Sequence, residues 1–424
     1  MAGTASGQQL DPFSAEMMDN PYPTYAELLQ GDEPVFLEER GMWLVLRYEH
    51  VAEAARDHAG LASGEGITYH RTTLPVLSAV DEPDHGRLRR VLSHGFTPRR
   101  VRLLQSLVEE ACGGLLDEAV ALGELDLIQQ AVVLLPVRVI TAVLGIPGDD
   151  VPRLKLTEGV LQGFIGDAKI RARDDPGPGD PREAALQLRA AKRALQSVAG
   201  LSAFLNTVLR ERRGCPLGDD LVSRLFAAQE EGRLSEDEVR WMCFTLLIGG
   251  QETMAHFLGN MLQALLDNPD QFRLLRERPD LIGPAIEETA RYYPPIQNAF
   301  RTATDDVVLG ATTIPRNARV QLSYAAANRD PRVFPAPDEF RVDREMDGHL
   351  GFGAGVHMCL GQHLVRLQAS VFLQMLIERT EDIEVIGEMA RITSPALRGL
   401  DHLPVHLTPK SPGRRSGKGA AERD

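Results

Sequence analysis

The chain lacks any CxxC pair. Its four cysteines, Cys112, Cys215, Cys243 and Cys359, lie far apart, which suggests neither a disulfide framework nor a clustered zinc site. No secretory leader is expected either, because Met1 to Leu10 carries no basic segment and no apolar segment. A reducing, cytoplasmic setting is expected. Long hydrophobic runs are also absent. The most apolar stretch, Ala131 to Ile146, is broken by Pro136 and Arg138 and falls short of the roughly 20 helical residues that span a bilayer, so no membrane anchor is expected. Positive charge is in short supply: 46 Lys and Arg stand against 60 Asp and Glu, a formal net charge of -14. Nucleic acid and anionic membranes attract basic surfaces, and neither is an expected partner. No Gly/Ser linker cuts the sequence. A single domain over residues 1–409 is expected, acting as a monomer, with a polar, disordered tail over 410–424.

What is present is an ordinary globular composition, 43% hydrophobic and 25% charged, enough to bury a large core. Apolar residues recur at three- and four-residue spacing over Val101 to Ala121, Leu186 to Arg212, Ser235 to Asp267 and Gly361 to Arg379, which predicts a mainly α protein. Strand signals are short: Met42 to Arg47, Val307 to Leu309 with Thr312 to Ile314, and Arg319 to Ser323. They predict small peripheral sheets. Ser235 and Glu238 form a capping box, and no proline follows until Pro269, so one helix of about 32 residues, roughly 48 Å, is expected to cross the whole domain. Asp174 to Pro181 reads as a loop.

The strongest chemical signal is Phe352 to Arg366, FGAGVHMCLGQHLVR. Gly353, Gly355 and Gly361 allow tight turns and close approach to a flat group. Cys359 precedes a helix start, where free amides and the positive end of the helix stabilise a thiolate. A zinc site from His349, His357, His363 and Cys359 fits no common ligand spacing. The segment resembles the haem-binding loop of the cytochrome P-450 family, Phe-Gly-x-Gly-x-His-x-Cys-Leu-Gly, at each fixed position. The resemblance implies that Cys359 is the axial ligand of haem iron, framed by Phe352, Gly353, His357 and Gly361, and that the thiolate favours cleavage of the O–O bond of dioxygen.

Three further segments follow the same family in order. Glu288 and Arg291, three apart on a helix, would alone be an ordinary surface pair; they are similar to the family's Glu-x-x-Arg pair, which with Arg344 implies a structural lock. In the long helix, Gly249-Gly250-Gln251-Glu252-Thr253 resembles the family's Ala/Gly-Gly-x-Asp/Glu-Thr segment, implying that Glu252 and Thr253 deliver protons to dioxygen and that the helix opens locally there. Asp81 to Phe96 resembles Pro-Glu-His-x-Arg-x-Arg-Arg, implying that His85 and Arg89, with Arg301 and His357, hold the haem propionates.

The resemblance implies a haem-thiolate monooxygenase using haem b and dioxygen to hydroxylate, or O-dealkylate, a small to medium apolar substrate. With no flavin or iron-sulfur segment visible in the sequence, the resemblance further implies that electrons come from NAD(P)H through a separate ferredoxin and ferredoxin reductase. Arg89, Arg90, Arg99, Arg100, Arg102 and Arg366 are candidate ferredoxin contacts. Leu246, Gly249, Ile296, Gln297 and Asn298, with Ile67 to Leu77 and Pro395 to Leu397, are candidate substrate contacts. C–C or C–O coupling on the same haem-thiolate site, or a haem sensor without catalysis, remain open at this point.

Overall fold

The computed structural model describes residues 10–69, 71, 74–146, 198–213, 215, 218–346 and 348–410. The expected loop at Asp174–Pro181, the start of the expected helix from Leu186 and the tail beyond Lys410 lie outside them.

The long helix is Glu236–Asp267, 32 residues, and its N-terminus is closed by both halves of the capping box. The Glu238 amide donates to Ser235 Oγ at 3.2 Å, and the Ser235 amide donates to Glu238 Oε2 at 2.7 Å. Asn268 and Pro269 end it, as a residue before proline is steered out of helix. Every residue from Met254 to Leu265 is buried, so this half is surrounded by protein on all sides. Around it pack the helices Leu134–Leu144 and Ile282–Tyr292, and next to these Gln105–Leu122 and Gln362–Arg379. Phe244, Phe257 and Phe372 are among the largest side chains fully enclosed in this core.

One five-stranded sheet flanks the helices, in the order Val35–Leu37, Met42–Val45, Arg319–Ser323, Asn298–Ala303 and Leu61–Ala62. The Met42–Val45 and Arg319–Ser323 strands pair in parallel; the other neighbours are antiparallel. A three-stranded sheet joins Glu124–Asp126, Pro404–Pro409 and Thr380–Val385. The architecture is therefore mainly α with small sheets, as expected.

Boundaries differ in two places. The expected helix Val101 to Ala121 is two helices, Pro98–Arg102 and Gln105–Leu122. Thr97 caps the first, and a tight turn at Leu103 and Leu104 separates them. The apolar spacing runs across this break because the turn keeps both Val101 and Val108 buried. The first strand stops at Val45: Arg47 instead precedes the helix Tyr48–Arg56 and pairs with Asp32 and Asp330 at 2.7 and 3.0 Å.

Candidate haem and substrate site

A cavity of about 380 Å³ lies between the long helix, the 66–79 segment, the strand Asn298–Ala303 and the loop that carries Cys359. The long helix contributes Phe244, Leu246, Gly249, Thr253 and Phe257 to its wall. Gly249 and Gly250 differ in purpose. A Cβ built at Gly249 meets nothing within 4 Å, whereas one at Gly250 comes to 3.0 Å from Ile140 Cδ1. The first glycine widens the cavity and the second admits a packed neighbour. The segment is α-helical throughout, with the Thr253 hydroxyl donating to the Gly249 carbonyl.

The cysteine loop is shaped by its backbone. Cys359 N–H donates to the Phe352 carbonyl at 2.8 Å. Gly353 and Gly355 have φ of 71° and 68°, the left-handed region that side chains disfavour, and a Cβ at Gly355 would also lie 2.6 Å from the Ala55 carbonyl oxygen. Gly361 has open space where its Cβ would be and lines the cavity. Of the four cysteines, Cys112 and Cys243 sit in apolar surroundings that push their thiols up to about 12. Cys215 is exposed. Cys359 faces the cavity; burial raises its thiol, while the amides of Gly361 and Gln362 and the charges of Arg89 and Arg366 pull it down.

Beside the thiol stands a cluster of two arginines and two imidazoles. His85, Arg89, Arg301 and His357 all line the cavity, with the two imidazoles 4.3 Å apart between ring centroids. Arg89 donates to the Met358 carbonyl and Arg301 to that of Phe300. Among the described residues neither arginine pairs with a carboxylate; only His85 touches one, Glu82 Oε1 at 3.3 Å from Nδ1. His85 Nε2 is buried with no hydrogen-bond partner. Burial, reinforced by Arg301, His85 and Arg89, pushes the His357 imidazole down to about 3. Buried positive charge without a counterion is costly, and an anionic group entering here relieves that cost. Thiol, open glycine, orphaned imidazole nitrogen and unpaired arginines together fit haem with its two propionates.

A second network holds the loop's scaffold. Arg291 donates to both Glu288 oxygens at 2.7 and 2.8 Å, and Arg344 to Glu288 at 3.1 Å. Carbonyls of Asn328, Pro335, Ala336, Pro337 and Glu339 take their remaining donors. These three residues do not line the cavity; they tie the helix Ile282–Tyr292 to the segment leading into the cysteine loop.

The structure corrects several expected contacts. Leu246, Gly249 and Ile296 line the cavity, but Gln297 and Asn298 do not. Alternation along the strand explains Asn298: Ala299 and Arg301 face the cavity, so Asn298 and Phe300 face away. Asn298 donates to the Pro395 carbonyl at 2.7 Å, and Gln297 bonds to Tyr22 and to the Pro294 carbonyl. From the 67–77 stretch Ile67, Thr68, Leu74, Val76 and Leu77 line it, whereas Pro395 to Leu397 do not. Thr253 reaches the cavity and Glu252 does not; Glu252 Oε1 lies 3.8 Å from His256 Nε2. Among the proposed ferredoxin contacts, Arg89 turns inward, Arg100 pairs with Asp219 and Arg366 with Glu287. Arg90, Arg99 and Arg102 remain exposed.

Two contributors had no visible motif. Glu287 accepts from Arg366 at 2.7 Å and from His349 at 3.1 Å, while Arg366 lies over the Phe352 ring at 4.5 Å. Burial opposes the Glu287 charge, yet these two partners hold its carboxyl at about 2. Thr245 accepts from the Leu77 amide at 3.2 Å, pinning the cavity's roof to the long helix. Only adjacency to Glu288 and to the glycine pair marks these residues in the sequence.

Residues 186–381 match the family model described as Cytochrome P450. The beta-dihydromenaquinone-9 omega-hydroxylase of Mycobacterium tuberculosis is 35% identical over 409 residues, covering 94% of this chain and 78% of the relative. The vitamin D(3) 25-hydroxylase of Pseudonocardia autotrophica is 34% identical over 428 residues, covering 97% and 100%. Among solved structures, CYP109E1 from Bacillus megaterium in complex with testosterone superposes with a TM-score of 0.82 at 27% identity, covering 92% of this chain and 98% of that one.

Proposed function

Because the chain belongs to the cytochrome P450 family and is a monooxygenase by that membership, we propose that it hydroxylates a large, mainly hydrocarbon substrate seated in the cavity beneath the long helix. The carrying observation is the division of that cavity. One end holds Cys359 with the unpaired cations; the rest is walled by Ile67, Leu74, Val76, Leu246, Ile296 and their apolar neighbours. Such a wall rewards burial of apolar area at about 25 cal/mol per Å² and provides no charged anchor for a substrate acid or amine. The named ligands of the relatives, a menaquinone, vitamin D(3) and testosterone, are all of this kind.

Cys359 is the residue to ligate the iron of haem b, and His85, Arg89, Arg301 and His357 are those to hold its propionates. Bound there, haem supplies the oxidising chemistry toward dioxygen. The protein's own work is to orient the substrate, keep water out of the apolar end and bring protons through Glu252 and Thr253. Thr253 holds its hydroxyl proton on the Gly249 carbonyl, at the cavity wall, one residue from the Glu252 carboxyl. Electrons are supplied from NAD(P)H by a ferredoxin and its reductase, docking on Arg90, Arg99 and Arg102; the short helix Pro98–Arg102 packs on the helix that follows Cys359. The enzyme is further proposed to act in the cytoplasm as a single-domain monomer; no helix among the described residues is long and apolar enough to cross a membrane.

The test begins with the carbon monoxide difference spectrum of the dithionite-reduced protein. A strongly red-shifted Soret band that disappears in Cys359→Ser supports the site; a histidine-type spectrum unchanged by the substitution rejects it. Titration with a menaquinone, a secosteroid and a steroid then reads the spin-state shift. Turnover under labelled dioxygen separates hydroxylation from coupling, because only hydroxylation leaves the label in the product. Charge reversal at Arg102 is expected to slow reduction by ferredoxin and to weaken its salt dependence.

A further inference from the structure

The proton route named above leaves a question of geometry, because the Glu252 carboxyl lies on the flank of the long helix and not in the cavity wall. On that flank, one helical turn along, stands His256. Its Nε2 is buried without a hydrogen-bond partner among the described residues and lies 3.8 Å from Glu252 Oε1, the two side chains being 7% and 12% exposed. The gap is too short to hold a bridging water, so a small rotation about either side chain closes it into a direct bond. Across from the ring runs the segment after Arg398. A Cβ built at Gly399 would fall 2.1 Å from His256 Nδ1 and 2.4 Å from Cγ, closer than non-bonded atoms can stand. No positive φ accounts for this glycine; the imbedded imidazole does.

We propose that His256 is a positioning residue that orients the Glu252 carboxyl for proton delivery at Thr253, and that Gly399 is glycine to admit its ring. The proposal rests on the reading of Glu252 as a proton donor. Neither residue touches the reacting atoms; His256 acts through Glu252, and Gly399 acts through His256. Glu252 moves its proton and His256 holds the oxygen from which that movement starts.

The test is a double-mutant cycle in the holoenzyme, read as product formed per NAD(P)H consumed, with hydrogen peroxide release as the complement. Glu252→Gln alone decides the underlying reading: unchanged coupling of NAD(P)H to product removes the proton role of Glu252. Given a defect there, His256→Leu is expected to lower coupling on the order of fivefold, a part of the roughly hundredfold that a positioned proton donor contributes. In the Glu252→Gln background the same change is expected to do nothing further. His256→Gln, whose amide can reach the place of Nε2, restores coupling, and Gly399→Ala, which displaces the ring without removing it, reproduces the defect. A readout independent of turnover is the ¹⁵N spectrum of the diamagnetic ferrous carbon monoxide form, in which Glu252→Gln shifts the His256 ring signals. Additive effects in the cycle, or ring signals indifferent to Glu252→Gln, overturn the proposal. Thermal denaturation of each variant separates these outcomes from simple loss of fold.

Discussion

Two arginine clusters stand around the cysteine loop and its scaffold, and they are built in opposite ways. Around Glu288 every guanidinium nitrogen of Arg291 and Arg344 meets a carboxylate or a carbonyl, and Glu288 and Arg291 are fully enclosed. Around Cys359, Arg89 and Arg301 each reach one backbone carbonyl, have no carboxylate among the described residues, and stand beside two imidazoles. The first cluster is complete in the protein alone. The second is complete only with an anionic ligand. Arg301 is as buried as Arg291 and Arg344, while Arg89 is half-buried, so the state of pairing is what separates scaffold from binding site.

The largest expected effect that tests this contrast is at the ligand itself: Cys359→Ser removes the red-shifted carbon monoxide band while leaving the paired cluster and the fold in place, as circular dichroism would show. Next come the arginines. Arg291→Ala leaves Glu288 as a buried, poorly compensated charge and is expected to destabilise the chain by about 3–5 kcal/mol. Arg301→Ala is expected to leave the haem-free chain within about 1 kcal/mol of its original stability yet weaken haem retention by about ten- to a hundredfold, the size of a lost charge-assisted bond. Urea unfolding and haem transfer to apomyoglobin measure the two. A fall in stability at Arg301 equal to that at Arg291 would erase the distinction.

A third prediction concerns acid. Glu287 is held at about 2 against an ordinary value of 4.5, so its charge is favoured more in the folded than in the unfolded chain. That contribution is fully present above about pH 4.5 and is lost as pH falls toward about 2. Urea midpoints between pH 5 and pH 3 should therefore drop less steeply in Glu287→Gln than in the parent. The smallest effect sharpens the comparison within the glycine pair. Gly249→Ala places its methyl in open cavity and should gain up to about 1 kcal/mol of helix stability, while weakening the binding of the bulkiest ligands; Gly250→Ala meets Ile140 and should gain less. Thermal melts and spin-state titrations report both.

Much of the scaffold was legible in the chain. Ser235, Glu238 and Pro269 bound the long helix because caps and prolines act on their nearest neighbours. The family resemblance carried Glu288, Arg291 and Arg344 to their lock. Gln297 and Asn298 were misplaced, because side-chain direction along a strand depends on which face meets the cavity, and the partner strand and the Tyr22 contact decide that. The break at Leu103 and Leu104 was hidden because the apolar period survives it.

The sequence by itself determined the α-rich architecture, the ends of the long helix and the turn-forming glycines around Cys359, all governed by interactions over a few residues. Only the tertiary structure decided which arginines are neutralised, that Glu287 grips Arg366 and His349, and that Gly399 makes room for His256 143 positions away along the chain. Pairing, burial and steric room belong to segments brought together by folding, and no local pattern records them.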